Sequence, residues 1–392
     1  MVLDLKQFGI YQLNRWTDEF TSLVTAAAKT ELQKKEEFRS KAEFARLVSF
    51  DGVKTAYWSG GANGGILKLS KDGREFPYLL KVFKNETSRE IVDYQKRVYR
   101  RLERLIRHSP ELARYFPRCY FIENGFIYNG KSYPFILMEQ IEGKHLDAEY
   151  ILSLSKEQIK TIADAFLHFI MDTERKSVAF SDLAGDNILV NMNDEGEIQV
   201  TALDFDELYL PLMKPRPSRI AGKPSWNHRN RRVDNPVYLD KRIGSFSALL
   251  IYLSLLILAS DKEQYLGLLE KNQFENDAPL LFTIEDLESP QTSPLFWKIL
   301  RHDDMKIQYL AKRFKEYAVD ANPMLTPLLH DILDEYYREN ETAIVKSANK
   351  RDFKAMESLS EMFEYGLGCQ QNTKAAEYWR RKMKSYLSYF KK

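Results

Sequence analysis

A change of period near residue 142 constrains this chain more than any other feature. Between about residues 50 and 142, short β-rich runs alternate with glycine-containing turns; from "EGKHLD" onward the chain is mostly helical. Strands and helices segregated in this way give an α+β fold, one small antiparallel sheet followed by a helical mass. Within the first part, "VKTAYWSGGANGGILKLSKDGREFPYLLKVF" reads as three antiparallel strands with a hairpin turn at Asp72–Gly73. The amphipathic "SREIVDYQKRVYRRLERLIRH" reads as one helix. "RCYFIENGFIYNGKSYPFILMEQIEG" then returns to strands, with turns expected at Asn124–Gly125 and Asn129–Gly130.

In the second part, Ser155 and Gln158 stand at the spacing of a capping box and open a long helix. "NILVNMNDEGEIQVTALDFD" interrupts the helices with two short strands around a turn. "SFSALLIYLSLLILAS" spans about 16 residues, short for a bilayer crossing, and reads as a buried helix. The tail from about 341 to 388 reads as a helix pair joined by "YGLGCQQN", and residues 10–48 read as a leading helix. The expected organisation is therefore an N-terminal helical extension (1–48), a small β unit (49–142), a helical unit (143–340) and a terminal helix pair (341–392). A chain of 392 residues is too long for one ordinary core, which fits this division.

Charge is nearly balanced, 58 basic against 56 acidic residues for a net +2, so it gives no argument for nucleic acid or a membrane as partner. Cys119 and Cys369 lie far apart with no CxxC pair, which makes a disulfide framework or a zinc site unexpected and points to the reducing cytoplasm. The N-terminal stretch lacks the basic and apolar regions of a signal peptide. The six histidines are dispersed. His228 is read as a packing residue, and the basic run "HRNRR" around it as solvated surface.

Four short stretches hold the candidates for chemistry. "SGGANGG" precedes a strand bearing a lysine, "LLKVF"; "SDLAGDN" and "LDFD" come much later. Phosphoryl transfer from ATP needs glycines that let backbone N–H groups approach phosphate, and a cation for its oxygens. It also needs hard oxygen ligands for Mg²⁺ and an acid to orient the attacking hydroxyl. Gly60, Gly61, Gly64 and Gly65 suit the loop, Lys81 the cation, Asn187 and Asp204 the Mg²⁺, and Asp182 the hydroxyl.

In this order the stretches resemble the protein-kinase-like superfamily over roughly residues 45–340. "YLLKVF" is similar to the V-A-I-K strand, "SDLAGDNILV" to the catalytic loop and "LDFD" to D-F-G. "LDFDELYLP", "GKPSWNHRNR", "SFSALLIYLSLLILASD" and "LLFTIEDLESPQTSP" resemble a bacterial group of eukaryotic-like kinases. The resemblance implies a bilobal fold, with a small antiparallel β lobe, a helical large lobe and helical extensions at both ends. It implies ATP and Mg²⁺ as cofactors and transfer to Ser or Thr of a protein. It also makes Met138 the gatekeeper in "FILMEQIEG", with the backbones of Glu139 and Ile141 at the adenine edge.

Several positions depart from the family pattern. Phe180 and Ser181 replace the His and Arg before the catalytic Asp, which removes the usual charge partner of a phosphorylated activation loop. Asp206 ends the D-F-G-like motif, as acids do in aminoglycoside- and choline-kinase-like enzymes, so a small-molecule substrate is an alternative. Gly244 replaces the Asp that opens the D-x-W-S helix, with Asp240 one turn upstream as a candidate substitute. The helix after Lys81 offers Gln95 on its apolar face, with Ile91, Val98 and Leu102, where a Glu is usual. These departures motivate a further alternative, a pseudokinase scaffold that binds nucleotide and recruits partners.

The tail "DFKAMESLSEMFEYGLGCQQNTKAAEYWRRKM" resembles one Sel1-like repeat, with Ala355, Leu359, Gly366, Gly368, Ala375, Ala376 and Trp379 at small or core positions. A single such repeat cannot bury its apolar face alone. It is expected to pack on the body of the protein or to hold a partner protein.

Overall fold

The computed structural model describes residues 53–60, 64–71, 74–83, 89–128, 131–193, 195–218, 220–231, 237–275 and 277–390. The helix expected over 10–48, the turns Asp72–Gly73 and Asn129–Gly130, and Gly61 lie outside the described residues. The chain divides into two compact units. One holds the chain up to Gly143 together with Thr201–Asp206; the other holds Lys144–Val200 and Glu207–Lys392.

The first unit is a five-stranded antiparallel sheet in the order β1-β2-β3-β5-β4. The strands are β1 (Val53–Gly60), β2 (Gly64–Lys71), β3 (Arg74–Phe83), β4 (Cys119–Tyr128) and β5 (Lys131–Glu139). Asn124–Gly125 is not a turn, against the sequence expectation, but part of β4. Ile122 pairs with Phe135 and Phe126 with Tyr133, so Glu123, Asn124 and Gly125 stand opposite Pro134 alone. Proline has no N–H for the ladder, and the facing strand bulges there instead of reversing.

Helix α1 (Arg89–His108) packs against β4 and buries Tyr94, Gln95, Val98, Tyr99 and Leu102. Phe205, from the returning segment, is 1% exposed and belongs to the same core. Its ring lies 5.3 Å from Tyr99 and, edge-on, 5.8 Å from Phe116. Burying a Phe contributes about 1.5–3 kcal/mol, and aromatic pairing adds about 0.5–1.5 kcal/mol. These contacts fix the acids on either side of Phe205 within the strand unit.

The second unit is mostly helical. Its small strands are β6 (Lys144–His145), β7 (Ala179–Phe180), β8 (Ile188–Met192), β9 (Ile198–Ala202) and β10 (Leu208–Tyr209), paired β6-β8-β9 and β10-β7. Helix α2 (Ala148–Leu152) is short. Helix α3 (Lys156–Arg175) opens with the expected box: Gln158 N–H donates to Ser155 Oγ, and Ser155 N–H to Gln158 Oε1. The apolar run forms α4 (Ser245–Asp261), buried along most of its length against α3 and, on another side, α8 (Met305–Val319). Short helices α5 (Leu266–Asn272), α6 (Ile284–Glu288) and α7 (Pro294–Ile299) lie between α4 and α8 in sequence. Phe246, Phe282, Phe296 and Phe314 form one aromatic cluster.

Helix α9 (Leu329–Asn349) runs past position 341 and carries the helix pair α10 (Phe353–Tyr365) and α11 (Thr373–Phe390). Gly366 ends α10 in the left-handed conformation, φ 72°, which only glycine adopts cheaply. At Gly368 a Cβ would stand 2.8 Å from the backbone nitrogen of Arg338, so the connection lies directly on α9. Its N–H also donates to Asp334. Lys306 of α8 pairs with Glu361, and Lys160 of α3 with Glu357. The pair therefore packs on the helical unit, burying Met356, Leu359 and Met362.

Candidate active site

The sequence-predicted residues fall into two groups, one in each unit. In the strand unit, Lys81 sits on β3 between Ile66 of β2 and Ile136 of β5, with 8% exposure. Its ammonium donates to Asp206 Oδ1 at 2.6 Å and lies 3.5 Å from Asp204 Oδ1. The N–H of Asp206 also donates to Asp204 Oδ1. Burial opposes the charge on Lys81, but the two carboxylates outweigh it and raise its pKa. Burial and the neighbouring Asp204 charge push Asp206 up to about 6. Desolvation works against ionised Asp204 too, yet Lys81 and the Asp206 N–H hold its pKa below the usual carboxylate value.

The counter-charge of Lys81 thus comes from "LDFD". Gln95 is 1% exposed, and among the described residues neither atom of its amide has a hydrogen-bond partner. The sequence offers the neutral Gln95 where a Glu is usual; Asp206 forms a buried ion pair with Lys81. A buried ammonium is tolerated only with such partners.

The glycines lie where β1 meets β2. Gly60 pairs with Gly65, and Gly64 and Gly65 stand opposite Phe83 and Val82 of β3. Met138 is nearly buried in β5, opposite Leu79 and Cys119. Glu139 follows, its N–H donated to Arg118 O and its carboxylate held by the Arg118 guanidinium. An adenine edge therefore has no use of that N–H. Ile141 lies just past the strand, partly exposed.

In the helical unit, Asp182 and Asn187 face each other across the 3₁₀ turn Gly185–Asn187. Asn187 Nδ2 donates to the Asp182 backbone oxygen at 2.9 Å and to Asp182 Oδ2 at 3.2 Å. Both of these bonds are made by its amide nitrogen, not by Oδ1. Gly185 is required for this turn, because a Cβ there would fall 2.0 Å from Leu146 O. Gly222, at φ 75°, lies close enough to Asp182 that a Cβ would stand 3.1 Å from Oδ1.

Two departures find structural explanations. Phe180 is buried against Phe169, ring centroids 5.3 Å apart. Gly244 lies against the Phe180 backbone, where a Cβ would come within 2.6 Å of its carbonyl oxygen. No side chain fits there, so the position is closed by direct backbone contact. Asp240 does not substitute: its carboxylate accepts the Arg242 N–H and pairs with the Arg242 side chain.

Of the run "HRNRR", the described residues His228–Arg231 are not the solvated surface expected of them. His228 is buried, edge-on to Phe246 at 5.2 Å, with Nε2 against Tyr317 O. Arg229 donates to Glu288 O and Val319 O. Arg231 is 7% exposed and donates to Ser181 Oγ, Asn227 Oδ1 and Ile220 O. Glu207, also buried, accepts from Arg216 at 2.8 Å and from Ser218 at 2.6 Å. Sequence reasoning missed Glu207, Ser218 and Arg231. The one signal was the density of arginine after "PSW", which does not say which arginine turns inward.

No family model matches the chain, and no curated protein matches it. Among solved structures, many chains are similar. One is described as the Cydia pomonella granulovirus kinase PK-1, 14% identical, covering 71% of this chain and 91% of that chain with a TM-score of 0.42.

Proposed function

We propose that the chain is an Mg²⁺- and ATP-dependent phosphotransferase of the protein-kinase-like type, acting on Ser or Thr of a protein in the cytoplasm. The observation that carries this reading is the approach of Lys81 to Asp204 and Asp206, 123 and 125 residues away in sequence. A strand lysine beside the first acid of a D-F-G-like motif is the pairing that phosphate and metal binding require. The Asp182–Asn187 pair supports the same reading, with Asp182 as the group that orients the attacking hydroxyl. Lys81 would bind the α- and β-phosphates, and the glycines of the β1–β2 connection would cover them.

The donors fit a hard divalent cation. Asp204 is about half-exposed and engages the lysine and the Asp206 N–H through Oδ1, and Asn187 has its amide oxygen to give. Mg²⁺ held at Asp204, within the strand unit, would neutralise phosphate oxygens; Asn187 offers a ligand of the same kind in the helical unit. The protein's own contribution is then position and fixed charge.

A second reading, a nucleotide-binding scaffold without turnover, is favoured by the 2.6 Å pair that occupies Lys81 with the chain's own Asp206. Two measurements separate the readings. Mg²⁺-ATP should raise the melting temperature of either protein if the nucleotide binds. Transfer of the γ-phosphate to the chain itself, or to a general protein acceptor, occurs only in the enzyme. Asp204→Ala should abolish that transfer and leave the fold intact; transfer at the parent rate would sink the assignment.

A further inference from the structure

Arg231 is a buried cation that the reading above leaves without a role. It lies five residues after the 3₁₀ turn Pro224–Trp226 and reaches back 50 positions to Ser181, donating to its Oγ at 2.6 Å. The same guanidinium donates to Asn227 Oδ1 at 2.8 Å and to Ile220 O at 3.0 Å. Its charge also couples to Asp182 and Glu207. Burial draws its pKa down to about 10, against the pull of those two carboxylates. Glu207 in turn gathers Arg216, Ser218 and the Ile220 N–H.

A buried guanidinium stabilises a fold poorly, because an apolar side chain of equal volume usually does as well. Its position therefore asks for another reason. Ser181 immediately precedes Asp182, at the place where the resembled catalytic loop has an arginine. We infer that Arg231 is the positioning residue of Asp182, supplying from downstream in the chain the positive charge that the loop lacks at Ser181. The inference rests on the reading of Asp182 as the acid that orients the hydroxyl.

Asp182 is then held from two flanks. Asn187 fixes its backbone oxygen and Oδ2; Arg231 fixes the neighbouring Ser181 and sets the local field. Because Arg231 also bonds Ile220 and Asn227, the loop and the segment that follows "LDFD" are locked together without a phosphate group. Displacing an acid of this kind by an ångström costs about 100-fold in rate.

The test uses the full chain with Arg231→Met, Arg231→Lys, Asp182→Asn and the double variant Arg231→Met/Asp182→Asn. Hydrolysis of ATP with water as acceptor gives kcat and KM, and calorimetry gives Mg²⁺-ATP affinity. Arg231→Met should lower kcat about 10- to 100-fold, with KM and affinity within about twofold of the parent. Arg231→Lys should recover part of the loss, and the double variant should be no slower than Asp182→Asn. A parent-like kcat in Arg231→Met, or losses that multiply in the double variant, would overturn the inference.

Hydrogen exchange over residues 180–187 provides a readout independent of turnover. It should speed up in Arg231→Met by at least tenfold while exchange in α4 stays as in the parent. Unchanged exchange there also overturns the inference. A parent that binds Mg²⁺-ATP and never turns it over removes the proposed function, and the exchange result alone then decides the role of Arg231.

Discussion

Asp206 holds its proton more tightly in the folded chain, at about 6, than an ordinary aspartate does at 3.8. An acid whose folded pKa is raised favours the folded state at low pH. Its contribution is complete below about pH 4 and is lost as pH rises through about 6. In metal-free buffer, urea unfolding of the parent should therefore lose stability between pH 4 and pH 6 more steeply than Asp206→Asn does. Parallel profiles would show that Asp206 titrates normally. Lys81 stood out in the sequence because Leu80 and Val82 flank it, and Asp204 because it stands between Leu203 and Phe205, although Asp204 itself is about half-exposed. Which acid would face the lysine was not legible, since that depends on how Phe205 seats between Tyr99 and Phe116.

Elements were easiest to read where local chemistry and tertiary packing agree. The capping box at Ser155 and Gln158 and the apolar run of α4 are such cases. Asn124–Gly125 was misread because a dipeptide carries its turn preference but not the partner strand that overrides it. "HRNRR" was misread because charge alone predicts exposure, whereas Arg231 finds three acceptors inside the protein. Gly244 is the sharpest example of an element set by backbone contact. Gly244→Ala should destabilise the helical unit by about 1–3 kcal/mol, the cost of forcing a close backbone contact apart. Gly244→Asp, which restores the residue of the resembled family, should do worse. Melting temperatures at or above the parent's would refute the close contact with Phe180.

At the scale of the whole molecule, the terminal helix pair is part of the helical unit's packing. Lys306 and Glu361 are both largely buried, side-chain exposures 14% and 15%, and Lys306 also donates to Tyr252 of α4. Removing one charge from such a pair costs about 3–5 kcal/mol, because the other is left buried. Lys306→Met should lower stability by that order in chemical denaturation, and Lys306→Met/Glu361→Leu should recover most of the loss. A double variant no better than the single one would mean that the ion pair itself, not the stranded charge, carries the energy.

The division of the chain limits how it can be cut. The polypeptide passes between the units after Gly143, after Val200 and after Asp206. No single break releases the strand unit intact. A fragment ending at Gly143 would keep Lys81 but lose both its acids, and would leave Tyr99 and Phe116 without the ring that joins them. The strand half therefore cannot be cut out as one continuous segment with its core complete: Thr201–Asp206 belongs to it and is reached only through Lys144–Val200.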